Sequence, residues 1–253
     1  MIQIFPIKNL PIFNPNDDFI DVIKASLPLL ENDDVLVIAH TVISRMENCE
    51  VNLETIKPSK MAEKIGKKAD KDPREVEVVL QQSKSIVRMS DTLIISETNH
   101  GFICANAGVD KSNARPGYLL TLPLNPNKSA KDIQTKIFEK TGKIVGIIIS
   151  DTFGRIFRKG TTNIAIGSAG IPAILSYKGD TDLFGYVLKT SEVALVDELA
   201  AAAGLVIGQS NEGTPVGIIR GLIEINNKAK ISLELDENNV QILPRIRNES
   251  LFW

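Results

Sequence analysis

Ile144-Val145-Gly146-Ile147-Ile148-Ile149-Ser150-Asp151-Thr152-Phe153-Gly154-Arg155 is the stretch whose reading decides the fold. Ile144 to Ser150 is apolar up to its last residue and rich in branched side chains, the pattern of a buried strand. Asp151-Thr152 then stands at its C-terminal end, and a carboxylate there is a favoured site position in sheet proteins. The plainer alternative is a solvated turn in which Asp151 pairs with Arg155.

Outward from this strand, Val35 to Ile43 reads as a second buried strand, and Ile2 to Phe5 and Val216 to Ile219 as two more. Ile164 to Ile166 and Ala173 to Leu175 are weaker strand signals. Leu93 to Ile95 and Phe102 to Cys104 flank the turn sequence Asn99-His100-Gly101. Helices are expected after Asp17-Asp18, with Phe19, Ile23, Leu27 and Leu30 on one face, and over Pro58 to Lys68. Further helices run from Pro73 to about Ser83 behind an Asp72 cap, from a Ser129 cap to Thr141, and from a Thr190 cap to about Gly204. Strands and helices mix without strict βαβ alternation, so the expected fold class is α+β, with mixed sheets and packed helices. The chain reads as a single domain over 1–253, divisible into two interleaved subdomains with a short C-terminal tail from about 226 to 253.

The 253 residues suffice for a sizeable core, and 43% apolar with 24% charged is ordinary for a globular protein. Lys plus Arg number 29 against 31 for Asp plus Glu, so no global basic excess drives non-specific nucleic-acid binding. The longest apolar run, Leu199 to Ile207, is far short of the roughly 18 residues that suggest a membrane span. The first residues lack signal-peptide character, and two cysteines, Cys49 and Cys104, make no disulfide framework. A cytoplasmic enzyme with neither nucleic-acid nor membrane partners is expected. Thirteen of the 17 glycines lie between Gly142 and Gly221, so that segment makes special demands on its backbone.

Several common sites are absent. Gly66-Lys67 is followed by Lys68 and Gly142-Lys143 by Ile144, so there is no standard P-loop. No two glycines are separated by one residue, which removes the strict dinucleotide fingerprint. His40 and His100 are too few for a three-histidine zinc site, and each alone reads as a structural or surface histidine. Three segments survive. Asn106 to Asn113 combines small residues with the hard oxygen of Asp110, or else is an Asx-rich turn. Asp151 and Thr152 offer oxygen to a hard cation, with Arg155, Arg158 and Lys159 nearby for anionic groups. Gly208 to Pro215 is a glycine-bracketed polar loop that can present N–H groups to a nucleotide, or simply connect a helix to a strand. Asp197-Glu198, within the preceding helix, reads as a solvated face. Two acids from separate segments, hydroxyl and amide oxygens and a basic cluster together suit an enzyme that uses metal and phosphate.

In order along the chain, Phe5-Pro6-Ile7 with Leu10-Pro11, Val42-Ile43-Ser44, Asn106 to Asn113 and Asp151 to Arg155 resemble the coenzyme F420-0:L-glutamate ligase family. So do Gly160, Ala165-Ile166-Gly167, Asp182-Leu183-Phe184-Gly185, Asp197 to Ala200 and Gly208-Gln209. The resemblance spans about Ile2 to Leu222. It implies a fold unrelated to P-loop proteins, an intertwined homodimer, GTP, two divalent cations (Mg²⁺ or Mn²⁺) and a stimulating K⁺. The implied reaction appends L-glutamate to the lactyl carboxylate of coenzyme F420-0 and then extends it by a γ-linkage, through an acyl phosphate. The alternatives are an amide ligase with another carboxylate acceptor and a non-catalytic nucleotide- or deazaflavin-binding protein.

Carried over by position, Asp110 and Asp151 would bind one cation, and Thr152 and Gln209 a second. Leu10, Pro11, Ile12, Phe13, His40, Thr41, Arg45, Asn113 and the loop Ile207, Gly208, Gln209, Ser210, Asn211, Glu212, Gly213 and Thr214 would surround GTP. Arg155 is expected to act with Asp110 and Asp151 in catalysis. Two departures stand out. Arg45 occupies a position where the family favours Lys, and Gln209 one where some members carry Glu.

Overall fold

The computed structural model describes residues 1–90, 92–222 and 233–235. In chain order the elements are β1 (Gln3–Pro6), α1 (Phe19–Val22), β2 (Val35–Ala39), α2 (His40–Met46), β3 (Glu50–Asn52), α3 (Lys60–Ala69) and α4 (Pro73–Gln81). Then come β4 (Ser83–Met89), β5 (Ile94–Thr98), β6 (Ile103–Ala105), β7 (Tyr118–Leu120), α5 (Pro126–Thr141), β8 (Gly146–Arg155) and β9 (Arg158–Ala169). β10 (Leu175–Ser176), β11 (Glu192–Val193), α6 (Leu195–Ile207) and β12 (Val216–Arg220) complete the described chain.

A five-stranded sheet in the order β1-β12-β2-β8-β9 organises the molecule. β2 and β8 run parallel, whereas the other neighbours are antiparallel. The strands Val35-Leu36-Val37-Ile38 and Ile147-Ile148-Ile149 are apolar on both faces because both faces are covered. Leu36, Ile38, Ile147 and Ile149 join α1 and α5 in one core, through Phe19, Ala130, Ile133 and Ile137. Val35, Val37 and Ile148 join α6 in the other, through Leu199, Ala200, Ala203 and Ile207. At the N-terminus of α5 the contact is backbone against backbone. A Cβ on Gly167 of β9 would lie 2.5 Å from the carbonyl carbon of Pro126, so only glycine fits. A smaller apolar cluster lies where α3 and α4 cover the β4-β5-β6 sheet, around Ile65, Val76, Val79 and Ile94. The α+β expectation with mixed sheets therefore holds. No described helix is long and apolar enough to cross a membrane.

The structure corrects several local expectations. Val35 to Ile43 is not one strand: β2 stops at Ala39 and α2 begins at His40. Val42 and Ile43 favour strand by propensity, but burying both in the Leu36–Ile38 core through a helix wins. The strong strand passes through Asp151 instead of ending there, because residues to Arg155 pair with β9. β9 itself is 12 residues long, far beyond the weak Ile164 to Ile166 signal. Helix α5 is capped by Asn125, whose side chain accepts from the Lys128 N–H, and so begins before Ser129. Helix α6 begins after Ala194, so Thr190 is not its cap. The tail from 226 onward lies outside the described residues, except for 233–235.

Candidate active site

The parallel pairing of β2 with β8 places Ala39 opposite Ser150. The residues that follow are His40, the first of α2, and Asp151 on β8, and the His40 Nε2 lies 3.3 Å from Asp151 Oδ1. A bulge helps aim the acid. The ladder runs Ile149 to Gly167 and then Ser150 to Ala165, skipping Ile166 one residue before Asp151. His40 Nδ1 in turn lies 3.3 Å from Ser44 Oγ, one turn along α2. Burial alone would push the His40 pKa down, but the charge and hydrogen bond of Asp151, together with Asp110, overcome that and raise it. His40 is thus a buried partner of the two acids, and Asp151 pairs with it in place of Arg155.

The strand ends open into a cavity of roughly 610 Å³. Asp110, Asp151, Thr152 and Gln209 all line it. Leu10 to Phe13, His40, Thr41, Arg45, Asn113 and the whole of Ile207 to Thr214 line it as well. Asp110 sits in an Asx turn and accepts from the N–H and Oγ of Ser112, both at 2.7 Å. The Asx-turn reading of that segment therefore holds, and the turn presents Asp110 to the cavity. The left-handed backbone of Asn106 and Ala107 and the Gly108 backbone at φ +69° bring this loop in, and a Cβ on Gly108 would strike Leu122 at 2.7 Å. Arg45 donates to the Asn113 carbonyl, tying α2 to the same loop.

Arg155 is not brought to this cavity. It lies at the outer end of the β8–β9 hairpin, where its guanidinium donates to the Lys159 carbonyl at 2.6 Å. Asp197 is no solvated helix residue either. It is half-buried and accepts from the Ala165 N–H at 2.9 Å, and burial pushes its carboxyl above the ordinary range. Cys104 lines the cavity, but burial and the nearby Asp151 push its thiol up to about 12, too high for a thiolate nucleophile at neutral pH.

The Gly208 loop has a built-in reason for its glycine. Gly208 has φ +76°, and a Cβ there would lie 2.3 Å from the Glu212 carboxyl carbon. That carboxylate accepts from the Ser210 N–H at 2.7 Å, which holds its pKa below the ordinary range and folds the loop on itself. Thr214 closes the other end by donating to the carbonyls of Val206 and Ile207. Gly208→Ala forces a side chain onto a backbone at φ +76° and pushes the Glu212 carboxylate aside, and the backbone strain costs about 1–3 kcal/mol within the loop. The expected result is faster hydrogen exchange at the Ser210 N–H, read by native-state exchange, with the global unfolding midpoint little changed.

Asn163 and Thr161 are lining residues that the sequence reading missed. Asn163 stands opposite Thr152 in the β8–β9 ladder, so recognising the hairpin would have placed it. Its polar neighbours from Lys159 to Thr162 hid the strand.

The donor set suits a hard divalent cation. Among the described residues no three His, Cys, Asp or Glu side chains are grouped to hold a metal. Two carboxylates with neutral hydroxyl and amide oxygens leave room for phosphate and water, the way Mg²⁺ is usually held beside a nucleotide.

A family model described as F420-0:Gamma-glutamyl ligase matches residues 8–221. The protein named coenzyme F420:L-glutamate ligase from Methanopyrus kandleri is 47% identical over 221 residues, 87% of each chain. Its namesake from Methanocaldococcus jannaschii is 49% identical over 213 residues, 84% of this chain and 85% of that one. A namesake from Archaeoglobus fulgidus is 37% identical over 221 residues, 87% of this chain and 88% of that one. The match takes in every segment that builds the cavity, from Leu10 to the loop ending at Thr214, and on this ground the chain belongs to the F420-0:gamma-glutamyl ligase family.

Proposed function

We propose that this chain joins L-glutamate to coenzyme F420-0 in a reaction driven by GTP, first at the lactyl carboxylate and then by a γ-linkage. The observation that carries the reading is the convergence of Asp110, Asp151, Thr152 and Gln209 on one cavity in a member of this family. A free carboxylate is a poor acyl donor because its oxygen is a poor leaving group. In the first step a carboxylate oxygen of the precursor attacks the γ-phosphorus, the bond to the β-phosphate oxygen breaks, and GDP leaves. In the second, the glutamate amine attacks the acyl carbon, phosphate leaves with the electron pair, and the amine loses a proton.

Asp110 and Asp151 would hold one divalent cation and Thr152 and Gln209 a second. When bound, these cations offset negative charge gathering on the transferred phosphoryl group. The protein's own groups set the geometry. His40, held by Ser44, fixes one oxygen of Asp151. Arg45 fixes the Asn113 carbonyl and with it the loop that carries Asp110. The Gly208 loop and the Leu10 to Phe13 segment would flank the nucleotide. Stimulation by K⁺ belongs to the same reading.

A homodimer is also proposed. The β8–β9 tip exposes Phe157 at 98%, and the 177–190 segment exposes Leu183 and Phe184 almost completely, so a second copy has apolar side chains to cover. Arg155, Arg158 and Lys159 ride on that hairpin and remain candidates for anchoring anionic substrate.

Mass spectrometry of F420-0 incubated with the protein, GTP, glutamate and Mn²⁺ tests the proposal. The expected products carry one or more added glutamyl units, with GDP formed in step. Hydrolysis of GTP without added glutamate, or the same extension of an unrelated carboxylate, would overturn it.

A further inference from the structure

We infer that Asn163 is a positioning residue that turns two oxygen donors, from two separate segments, toward the second cation. The inference rests on the cation reading given above. Asn163 is 6% exposed and lies on β9 directly across the ladder from Thr152. Its Oδ1 receives two hydrogen-bond donors. Thr152 Oγ1 lies 3.3 Å away, and Gln209 Nε2, from the loop after α6, lies 3.1 Å away. Thr152 Oγ1 is also 3.0 Å from Gln209 Oε1.

The proton count gives these distances their meaning. Thr152 has one hydroxyl proton and two acceptors within reach, Asn163 Oδ1 and Gln209 Oε1. If both Thr152 Oγ1 and Gln209 Oε1 donate lone pairs to a cation, Gln209 Oε1 is no longer a good acceptor. The hydroxyl proton then has Asn163 Oδ1 to go to, which turns the Thr152 lone pairs outward. The same oxygen takes an amide proton of Gln209, so that the Gln209 carbonyl, and not its NH₂, faces Thr152. A single neutral acceptor thereby orients both donors, as hydrogen-bonding groups behind metal ligands commonly do.

Helix α6 keeps a place for this side chain. A Cβ on Gly204 would lie 3.1 Å from Asn163 Cγ and 3.3 Å from its Oδ1 and Nδ2. Glycine inside a helix is unfavourable relative to alanine. The space it leaves is filled by Asn163, so the packing of α6 against β9 sets the position of Oδ1.

The test is Mn²⁺ titration into the full chain with GDP present, following free aquo-Mn²⁺ by electron paramagnetic resonance. Wild type is expected to bind two Mn²⁺. Asn163→Leu, which keeps the shape but removes the acceptor, should retain one and weaken the other by roughly 10- to 100-fold. Asn163→Asp, which keeps the acceptor, should retain both. Gly204→Ala crowds Asn163 without removing its acceptor, so it should weaken the same site by less than Leu does, and an unchanged circular dichroism spectrum guards against misfolding of the Leu variant. Two wild-type-like sites in Asn163→Leu would overturn the inference alone, as would an Asp variant as weak as the Leu variant. Failure of wild type to bind a second Mn²⁺ would instead overturn the cation reading on which it stands.

Discussion

Asp151→Asn will abolish ligation and leave the fold intact. The substitution preserves shape, and an amide Oδ1 still accepts from the Thr152 N–H, which the carboxylate now does at 2.6 Å. The contact with His40 Nε2 also survives. What is lost is a negative charge at the point where the ends of β2 and β8 meet. If Asp151 holds a cation against the transferred phosphoryl group, as proposed, losing that charge costs several kcal/mol, which at about 1.4 kcal/mol per tenfold is about 10³-fold or more in rate. Product formation by mass spectrometry should fall by that factor, with an unchanged far-UV circular dichroism spectrum. Turnover at the wild-type rate would remove Asp151 from the site.

The largest expected effect on stability lies at the other end of the sheet. Asp34, just before β2, is completely buried. Arg220, at the end of β12, grips it bidentately, Nε to Oδ1 at 2.8 Å and NH2 to Oδ2 at 2.7 Å. The same guanidinium donates to Glu31 and to the Leu29 carbonyl and lies over the Phe5 ring, so one side chain ties β12, β1 and the approach to β2. Arg220→Met leaves Asp34 buried with the Glu31 N–H as its remaining hydrogen-bond donor of those the structure shows. Removing one partner of a buried pair costs about 3–5 kcal/mol. Chemical denaturation should show that loss, and Asp34→Asn in the same chain should restore a large part of it. A double variant as unstable as the single would mean that loss of packing, and not the stranded charge, is the cause.

The sequence was readable wherever burial on both faces writes itself as an unbroken apolar run. Val35 to Ile38, Ile147 to Ile149 and Val216 to Ile219 are such runs, and they form the centre of the sheet. β9 escaped because its first half, Arg158 to Thr162, projects beyond the helices and carries polar, largely exposed residues. α2 escaped because Val42 and Ile43 prefer strand geometry in isolation, and only the shared core makes a helix the better arrangement. Nearly all the proposed site residues line one cavity because they lie at strand ends and in glycine-shaped loops, features that composition and spacing record. Arg155 could not be placed that way. Its charge was legible, but the distance from the cavity depends on how far the hairpin extends. Asn163 was invisible for the same reason, since its importance comes from facing Thr152 across a ladder that the sequence did not announce.

The order of strands carries a consequence for how the molecule comes into being. β12, starting at Val216, inserts between β1 and β2, the first two strands of the chain. A nascent chain therefore exposes the edges of β1 and β2 until nearly all of the described sequence has emerged from the ribosome. His40 and Asp151 also meet only through the parallel pairing of β2 with β8, a contact across more than a hundred residues. Long-range pairings of this kind close late and slowly. Regain of ligase activity during refolding should lag behind the return of helical signal, because helices form locally while the His40–Asp151 contact waits for the sheet to close.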